Sequence, residues 1–333
     1  MSNQPALAVI ICCYNSERVI GPTLEALARQ EGADFPWEVV SVDNNCSDTT
    51  QNVARETWEQ SDTDVPLKIV EEPTPGLASA RKCGVYATEA PLLIFCDDDN
   101  QFASNYLQIA KQFMDDHVDV SACGGKGRAI TDGELPVWFD RYKRAYAVGP
   151  QSSEKGEVQG HLYGAGIVLR RNDLLKFYEC NIEHLLSGRK GGTATAGDDG
   201  EMQEWLDIFN CGKRFYLPEL TFDHYLLQPR LNWAHLTKLY KGFGQMSPVL
   251  STYKTLKTSK HRKPKGNLWW KLLLKYSLLT TLRSFRNSPK DSVLLMKRHF
   301  ASITWLLKNR REFKNVTGEI VGIYEKAQEQ GEA

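Results

Sequence analysis

The sequence contains no CxxC pair, although it has eight cysteines. A zinc site of the usual spacing is therefore not expected. Cys12, Cys13 and Cys96 fall in apolar runs, so most of these thiols read as small buried side chains in a reducing compartment. The common glycine-rich phosphate loops are missing: no GxGxxG follows the first apolar run, and there is no GxxxxGK[ST]. The first four residues carry no basic side chain, and the apolar run behind them stops at Tyr14-Asn15, which argues against a secretory signal. No apolar run approaches the roughly 20 residues that span a bilayer. These absences point to a cytoplasmic chain. Acid is scarce in one region: residues 236–315 hold 19 Lys or Arg against Asp291 and Glu312 alone, whereas residues 1–235 hold 21 basic and 35 acidic side chains. The formal net charge of zero thus hides two regions of opposite sign, and the basic one is expected to face something anionic.

Of what is present, the most informative stretch is Pro91–Asn100, PLLIFCDDDN. Leu92 to Cys96 is an unbroken apolar run, the pattern of a strand buried on both faces. Asp97, Asp98 and Asp99 follow at once. Three carboxylates at the end of a buried strand are costly unless something positive binds there. The C-terminal ends of parallel strands are also where open α/β sheets hold ligands. In an extended chain Asp97 and Asp99 would point the same way. Two oxygens on one side suit a hard divalent cation that also holds a diphosphate. The plainer alternative is a turn with capping Asp and Asn after a core strand.

Strand and helix alternate around this stretch. Strands are expected over Ala6–Cys13, Trp37–Val42, Leu67–Val70, Asp119–Cys123 and Leu162–Leu169. Helices are expected over Glu17–Gln30, Thr49–Gln60, Leu77–Thr88, Leu107–Met114 and Met202–Phe209, the last opened by Asp198 to Glu201. Arg214–Leu217 and Thr221–His224 read as two extended pieces with Pro218 as a stop between them. Residues 124–160 are irregular and read as a binding loop, and residues 188–197 as a flexible Gly- and Thr-rich loop. The alternation predicts an α/β fold with a mostly parallel sheet and helices on both faces.

Acidic strand ends therefore recur at Asp43, at Asp97 to Asp99 and at Asp198-Asp199, with Arg81 on the helix before the middle one. Three on one sheet edge suit a nucleoside diphosphate and a metal. Without a glycine-rich loop, diphosphate binding must rely on the metal and Arg81. Each residue has a plainer alternative. Asp43 could cap a turn. Asp198 and Asp199 could be first-turn acids on a helix dipole. His224 could be a structural partner, and Arg81 a surface charge paired with Glu89.

Six stretches, in order, carry a resemblance: VIICCYNSERVI, VDNNCSDTT, ASARKCGVYATEAPLLIFCDDDN, YGAGIVLRR, GDDGEM and LPELTFDHYLLQPR. Together they resemble the family 2 glycosyltransferases of bacterial type, over about residues 1–235. The resemblance implies a Rossmann-like GT-A domain over residues 1–235, followed by a basic, mainly helical extension over 236–333. It implies that Tyr14, Asn15, Glu17 and Asp43 hold the base and ribose, that Arg81 contacts the diphosphate, and that Asp98 lies in the same nucleotide site. Asp97 would face the ribose or the metal, Asp99 would ligate Mn²⁺ or Mg²⁺, and His224 would approach the metal or phosphate. Asp199, beside Asp198, matches the general base, and Gly164 to Gly166 would flank the acceptor. Two departures touch this pattern: Asp198 stands where the family more often has Glu, and Cys12-Cys13 replaces a small residue or Pro.

The implied activity is transfer of a sugar from a UDP-linked donor to a hydroxyl of a glycan or lipid-linked acceptor, in surface polysaccharide or glycoconjugate synthesis. One base and one metal suffice for a single displacement, so inversion at the anomeric carbon is expected; a covalent intermediate would need a second carboxylate near the sugar. A phosphatase would want DxDx[TV], but Asn100-Gln101 follows the acids; a nucleotidyltransferase would want the missing glycine loop. A non-catalytic nucleotide-sugar binder would lack Asp99 or Asp199. In the basic region, Leu268–Leu282 and Val293–Leu307 are apolar, helical in pattern and flanked by Lys or Arg, with Trp269, Trp270 and Trp305 among them. Such pieces suit an anionic membrane surface, which would place the chain on the inner face of the cell membrane. Packing on the first domain, or on a second subunit in an oligomer, is the alternative. No nucleic-acid-binding motif is present, so nucleic acid is not an expected partner.

Overall fold

The structure, a computed structural model, describes residues 4–186, 188, 196–258, 267–284, 288–329 and 331. Within them the strands are β1 (Leu7–Cys13), β2 (Trp37–Asp43), β3 (Leu67–Glu71), β4 (Leu92–Asp97), β5 (Asn100–Phe102), β6 (Val120–Ile130), β7 (Gly156–Glu157), β8 (Ile167–Arg170) and β9 (Lys213–Tyr225). The helices are α1 (Ile20–Ala28), α2 (Thr50–Gln60), α3 (Leu77–Tyr86), α4 (Tyr106–Asp116), α5 (Phe139–Tyr142), α6 (Arg171–Glu179), α7 (Asp198–Ile208), α8 (Trp233–Thr258), α9 (Leu268–Ser284), α10 (Pro289–Lys308) and α11 (Arg310–Glu329). They form two compact units, Met1–Glu179 with Cys211–Leu231, and Cys180–Asn210 with Asn232–Ala333. Residues 180–210, read from the sequence as part of the first domain, thus cluster with the C-terminal helices. Of the loop expected at 188–197, residues 189–195 lie outside the described residues.

The first unit is built on a sheet of order β3-β2-β1-β4-β8-β6-β9-β5, with β7 paired to β9. β1 lies parallel to both β2 and β4, and β2 parallel to β3, so this half is the parallel sheet that the alternation predicts. β8 enters antiparallel to β4 and β6, and the other half is mixed. Between β6 and β8 the chain has the short helix α5, a single 3-10 turn at Lys143–Tyr146 and the two-residue β7, but no long crossover helix to carry it back over the sheet, and β8 pairs antiparallel with β6. Leu7 to Ile11 of β1 are fully buried, as a strand with neighbours on both edges and helices on both faces must be. On α1, Ile20, Leu24 and Leu27 repeat at helical spacing and are buried with them. Truncating one such core side chain, Ile10→Ala, should cost about 2–5 kcal/mol.

Three expectations change in the other half. The irregular stretch from Gly124 is in its first part strand: β6 runs on to Ile130, paired with β9. Pro218 does not stop β9. The β6–β9 register jumps from Gly124↔Tyr216 to Lys126↔Thr221, so Pro218 sits in a bulge where the ladder asks no N–H of it. Opposite the bulge a Cβ on Gly125 would lie 1.6 Å from the Leu220 carbonyl oxygen, so only glycine fits there. Finally, β8 is shorter than the strand expected at Leu162–Leu169. Gly164 to Gly166 form a buried turn before it, and the Gly166 N–H donates to Phe95 O at 2.8 Å.

In the second unit α10 packs against both α8 and α9. Gly244 of α8 meets the backbone of α10: a Cβ there would lie 2.1 Å from Arg298 O, and Ser302 Oγ donates to Gly244 O at 2.8 Å. Leu268, Trp269, Leu272, Tyr276, Leu306 and Phe313 form a small core. Trp269 is turned inward, its Nε1 donating to Leu306 O at 2.8 Å under the Arg310 guanidinium. Trp270, Leu274 and Leu278 on α9, and Val293, Met296, Phe300 and Leu307 on α10, remain exposed. Among the described residues no helix is long and apolar enough to cross a membrane.

Candidate functional site

The C-terminal ends of β1, β2 and β4 bring the first unit's sequence-selected residues to one edge. After β1, Tyr14 is exposed and Asn15 takes a left-handed backbone. Asn15 Oδ1 accepts from the Ser47 N–H at 2.8 Å, and Glu17 Oε2 accepts from Thr49 Oγ1 at 2.7 Å. Asp48 returns the tie by accepting from the Glu17 N–H at 3.2 Å. These bonds lace the loop after β1 to the loop after β2. Asp43 is buried; its carboxylate accepts from the Cys46 N–H at 2.7 Å and from Gln51 Nε2, so it shapes the turn it ends. Asn44, which the sequence reading passed over, donates to Glu72 O and Thr74 O and accepts from the Gly76 N–H. It thereby fixes the loop that opens α3, the helix carrying Arg81.

Arg81 is buried, lies over the Phe95 ring and places Nη2 4.0 Å from Asp97 Oδ1. Glu89 pairs with Arg171 instead, at 3.1 Å. The extended alternation expected of Asp97 and Asp99 does not continue, because β4 ends at Asp97 and the chain turns at Asp98-Asp99 before β5. The tight turn separates the three carboxylates. Asp97 faces Arg81, and Asp98 accepts from the Ser16 hydroxyl. Asp99 Oδ1 lies 3.3 Å from His224 Nε2, and its Oδ2 accepts from Arg230 Nη1 at 3.1 Å. Burial first, then the Asp99 and Asp97 carboxylates, push Asp98 up to about 7, against the lowering effects of Ser16 and Arg230. Negative charge is thus crowded here beyond what the nearby cations offset.

His224 reaches this point through the β5–β9 ladder, in which Asn100 is paired with His224. Asn100 is fully buried, and neither atom of its side-chain amide has a hydrogen-bond partner. Among the described residues no group of three or more His, Cys, Asp or Glu side chains is placed to hold a metal ion. The donors present are hard carboxylate oxygens and an imidazole, in excess negative charge and beside an orphaned buried amide. That chemistry fits a divalent cation of the Mg²⁺ or Mn²⁺ kind.

Asp198 and Asp199 belong to the second unit, where they open α7 behind Gly197, whose φ of 108° is open to glycine alone. Asp198 is buried and Asp199 half-buried; Asp199 Oδ1 accepts from the Gly200 N–H at 2.8 Å. Two residues on, Glu201 is fully buried. It accepts from the Leu186 N–H at 2.9 Å and from the Tyr253 hydroxyl at 2.9 Å, with His184 Nδ1 at 3.2 Å. Arg230, Ser16, Asn44 and Glu201 are the residues that sequence reasoning missed. All four lie inside the family-like stretches, and Arg230 carried a further signal as a cation six positions after His224.

A mixed α/β sheet with carboxylates and arginines gathered at its strand ends defines a nucleotide-binding class of fold. The glycosyl transferase family 2 model matches residues 8–175, and the chain belongs to that family. It is 36% identical over 109 residues to validoxylamine A glucosyltransferase of Streptomyces hygroscopicus subsp. limoneus, a match covering 32% of this chain and 23% of that protein. The chain thus spans about a quarter of the length of that curated relative. Two solved structures share the fold. Staphylococcus aureus TarS 1–349 in complex with UDP-GlcNAc has a TM-score of 0.51 at 17% identity, covering 98% of this chain and 92% of that one. Mannosyltransferase PcManGT from Pyrobaculum calidifontis, in complex with GDP-Man and Mn²⁺, has a TM-score of 0.51 at 18% identity, covering 98% and 87%.

Proposed function

We propose that this protein is an inverting glycosyltransferase. It moves a sugar from a UDP-linked donor to a hydroxyl of a glycan or lipid-linked acceptor. The observation that carries this reading is the excess of carboxylate at the end of β4, faced by Arg81, His224 and Arg230 within one unit of a family 2 chain. The UDP-GlcNAc and GDP-Man with Mn²⁺ held by the two solved neighbours support a nucleotide-sugar donor and a divalent cation. Asp99 and Asp97 would hold the cation, with His224 beside them, and a bound cation neutralises the charge that develops on the leaving diphosphate. Tyr14, Asn15, Glu17 and Asp43 would line the base and ribose, with Glu17 and Asn15 fixing the two loops that do so. Arg81 would bind a diphosphate oxygen, its guanidinium already oriented by Phe95.

Asp199 would take the proton of the acceptor hydroxyl as it attacks. Its support is its place in the order of family-like stretches and its half-buried position in the first turn of α7. Gly164 to Gly166 would flank the acceptor. A lipid-linked acceptor would bring the protein to the inner face of the cell membrane, and the exposed apolar side chains of α9 and α10 beside Lys271, Lys275 and Lys297 support that placement. The reaction is tested by incubating the protein with UDP-sugars and Mn²⁺, with and without chelator, and following UDP release. Release that depends on the cation is expected; UDP-sugars left intact with every cation tried would rule the reading out.

A further inference from the structure

We infer that Arg230 is a resident counter-ion of Asp99 that gives way to the cation and then binds the donor's diphosphate. The inference rests on the proposed reaction and adds a residue to it. Asp99 is almost wholly buried, and a buried carboxylate without a partner is strongly disfavoured. Among the described residues, His224 stands against one oxygen and Arg230 against the other. The two are built differently. His224 stands on β9, with only 8% of its side chain exposed, so the imidazole has little room to turn away. Arg230 lies beyond the strand, in the single turn Gln228–Arg230, and 37% of its side chain is exposed.

The backbone of Arg230 is nevertheless held. Its N–H donates to Leu227 O at 2.8 Å, and its carbonyl accepts from the Tyr146 hydroxyl at 3.1 Å. Fixed backbone and part-exposed guanidinium together let the side chain change partners without moving the fold. The contact with Asp99 uses one nitrogen of a five-donor fork, the geometry that suits phosphate oxygens. A cation on Asp99 would also repel the guanidinium, while a diphosphate alongside would attract it. Arg230 thus pairs with Asp99 and holds it aimed before the donor arrives, and competes with a cation that comes alone.

That competition gives a sign that a merely structural residue would not. In Arg230→Gln, Mn²⁺ alone, titrated by its free-ion electron paramagnetic resonance signal, should bind about three- to tenfold tighter, because its competitor is gone. UDP in the presence of saturating Mn²⁺, followed by calorimetry, should bind about tenfold weaker, a loss of about 1.4 kcal/mol. Arg230→Lys keeps the charge but not the fork. It should leave Mn²⁺ affinity near wild type and still weaken UDP, which keeps the inference testable even if the Gln variant does not fold. Weakening of both ligands by Arg230→Gln, or no change in either, overturns the exchange and leaves the proposed reaction standing. Failure of the wild-type protein to bind Mn²⁺ or UDP at all overturns both.

Discussion

Two acidic clusters, one in each unit, invite comparison. In the second unit Glu201 is fully buried, yet it is met by a backbone N–H, a tyrosine hydroxyl and an imidazole, and Tyr253 in turn accepts from Trp205 Nε1 at 2.9 Å. Every oxygen has a donor, and the cluster ties the segment before α7 to α7 and α8. In the first unit Asp97, Asp98 and Asp99 follow one another through a turn, and Asp98 is pushed up to about 7 because burial and its two neighbours oppose its ionisation. A satisfied carboxylate in a closed network holds structure together, whereas one left in excess of charge is poised for a ligand that carries the missing cation. The comparison separates the acids expected to govern stability from those expected to govern activity.

The sharpest way to break it is at Asp99. Asp99→Ala should abolish sugar transfer and greatly weaken UDP binding with Mn²⁺, while the melting temperature stays close to wild type. A chelator should abolish transfer in the wild-type protein, and full activity in its presence would remove the metal role. Next is Asp199→Asn, which keeps the shape and removes the basicity. Transfer should fall by about two to four orders of magnitude while UDP affinity is retained; near wild-type turnover would move the base to Asp198.

The opposite pattern is expected at Glu201. Glu201→Ala leaves His184, the Leu186 N–H and the Tyr253 hydroxyl facing a void, and should cost about 3–5 kcal/mol in urea unfolding followed by far-UV dichroism. A variant as stable as wild type would make Glu201 an activity residue and erase the contrast. A smaller effect is expected on the exposed face of α9 and α10. Leu274→Glu with Phe300→Glu should weaken co-sedimentation with anionic vesicles, which in the wild type should fall with added salt. Binding indifferent to lipid charge or to these changes would remove the membrane placement. Smallest of all is thiol reactivity. Burial raises Cys13, Cys96 and Cys123 far above an ordinary thiol and Cys46 only to about 11, so a maleimide at neutral pH should label the first three last.

Much of this protein was determined by its sequence read alone. The apolar runs that became β1, β2 and β4 end within a residue of their expected bounds, because a strand buried on both faces is built mainly of apolar side chains and the run gives out where the strand reaches the sheet edge. The acids at those ends were legible for the same reason, since Asp43 and Asp97 are where the apolar runs give out. What only the tertiary structure decided were relations between distant residues. Pro218 reads as a stop until the β6–β9 register shift gives it a bulge to occupy, and the shift is set by a partner strand about ninety residues earlier. Asp97 and Asp99 read alike in the sequence, and the turn after β4 gives each its own partner, Arg81 for one and His224 with Arg230 for the other. Arg230 lies 131 residues from Asp99 along the chain, and no local pattern encodes a contact made by packing β9 beside β5. Local chemistry fixes where a strand must end and what charge gathers there, while the choice of partner for each charge depends on which strands lie side by side, and that is settled only when the whole sheet closes.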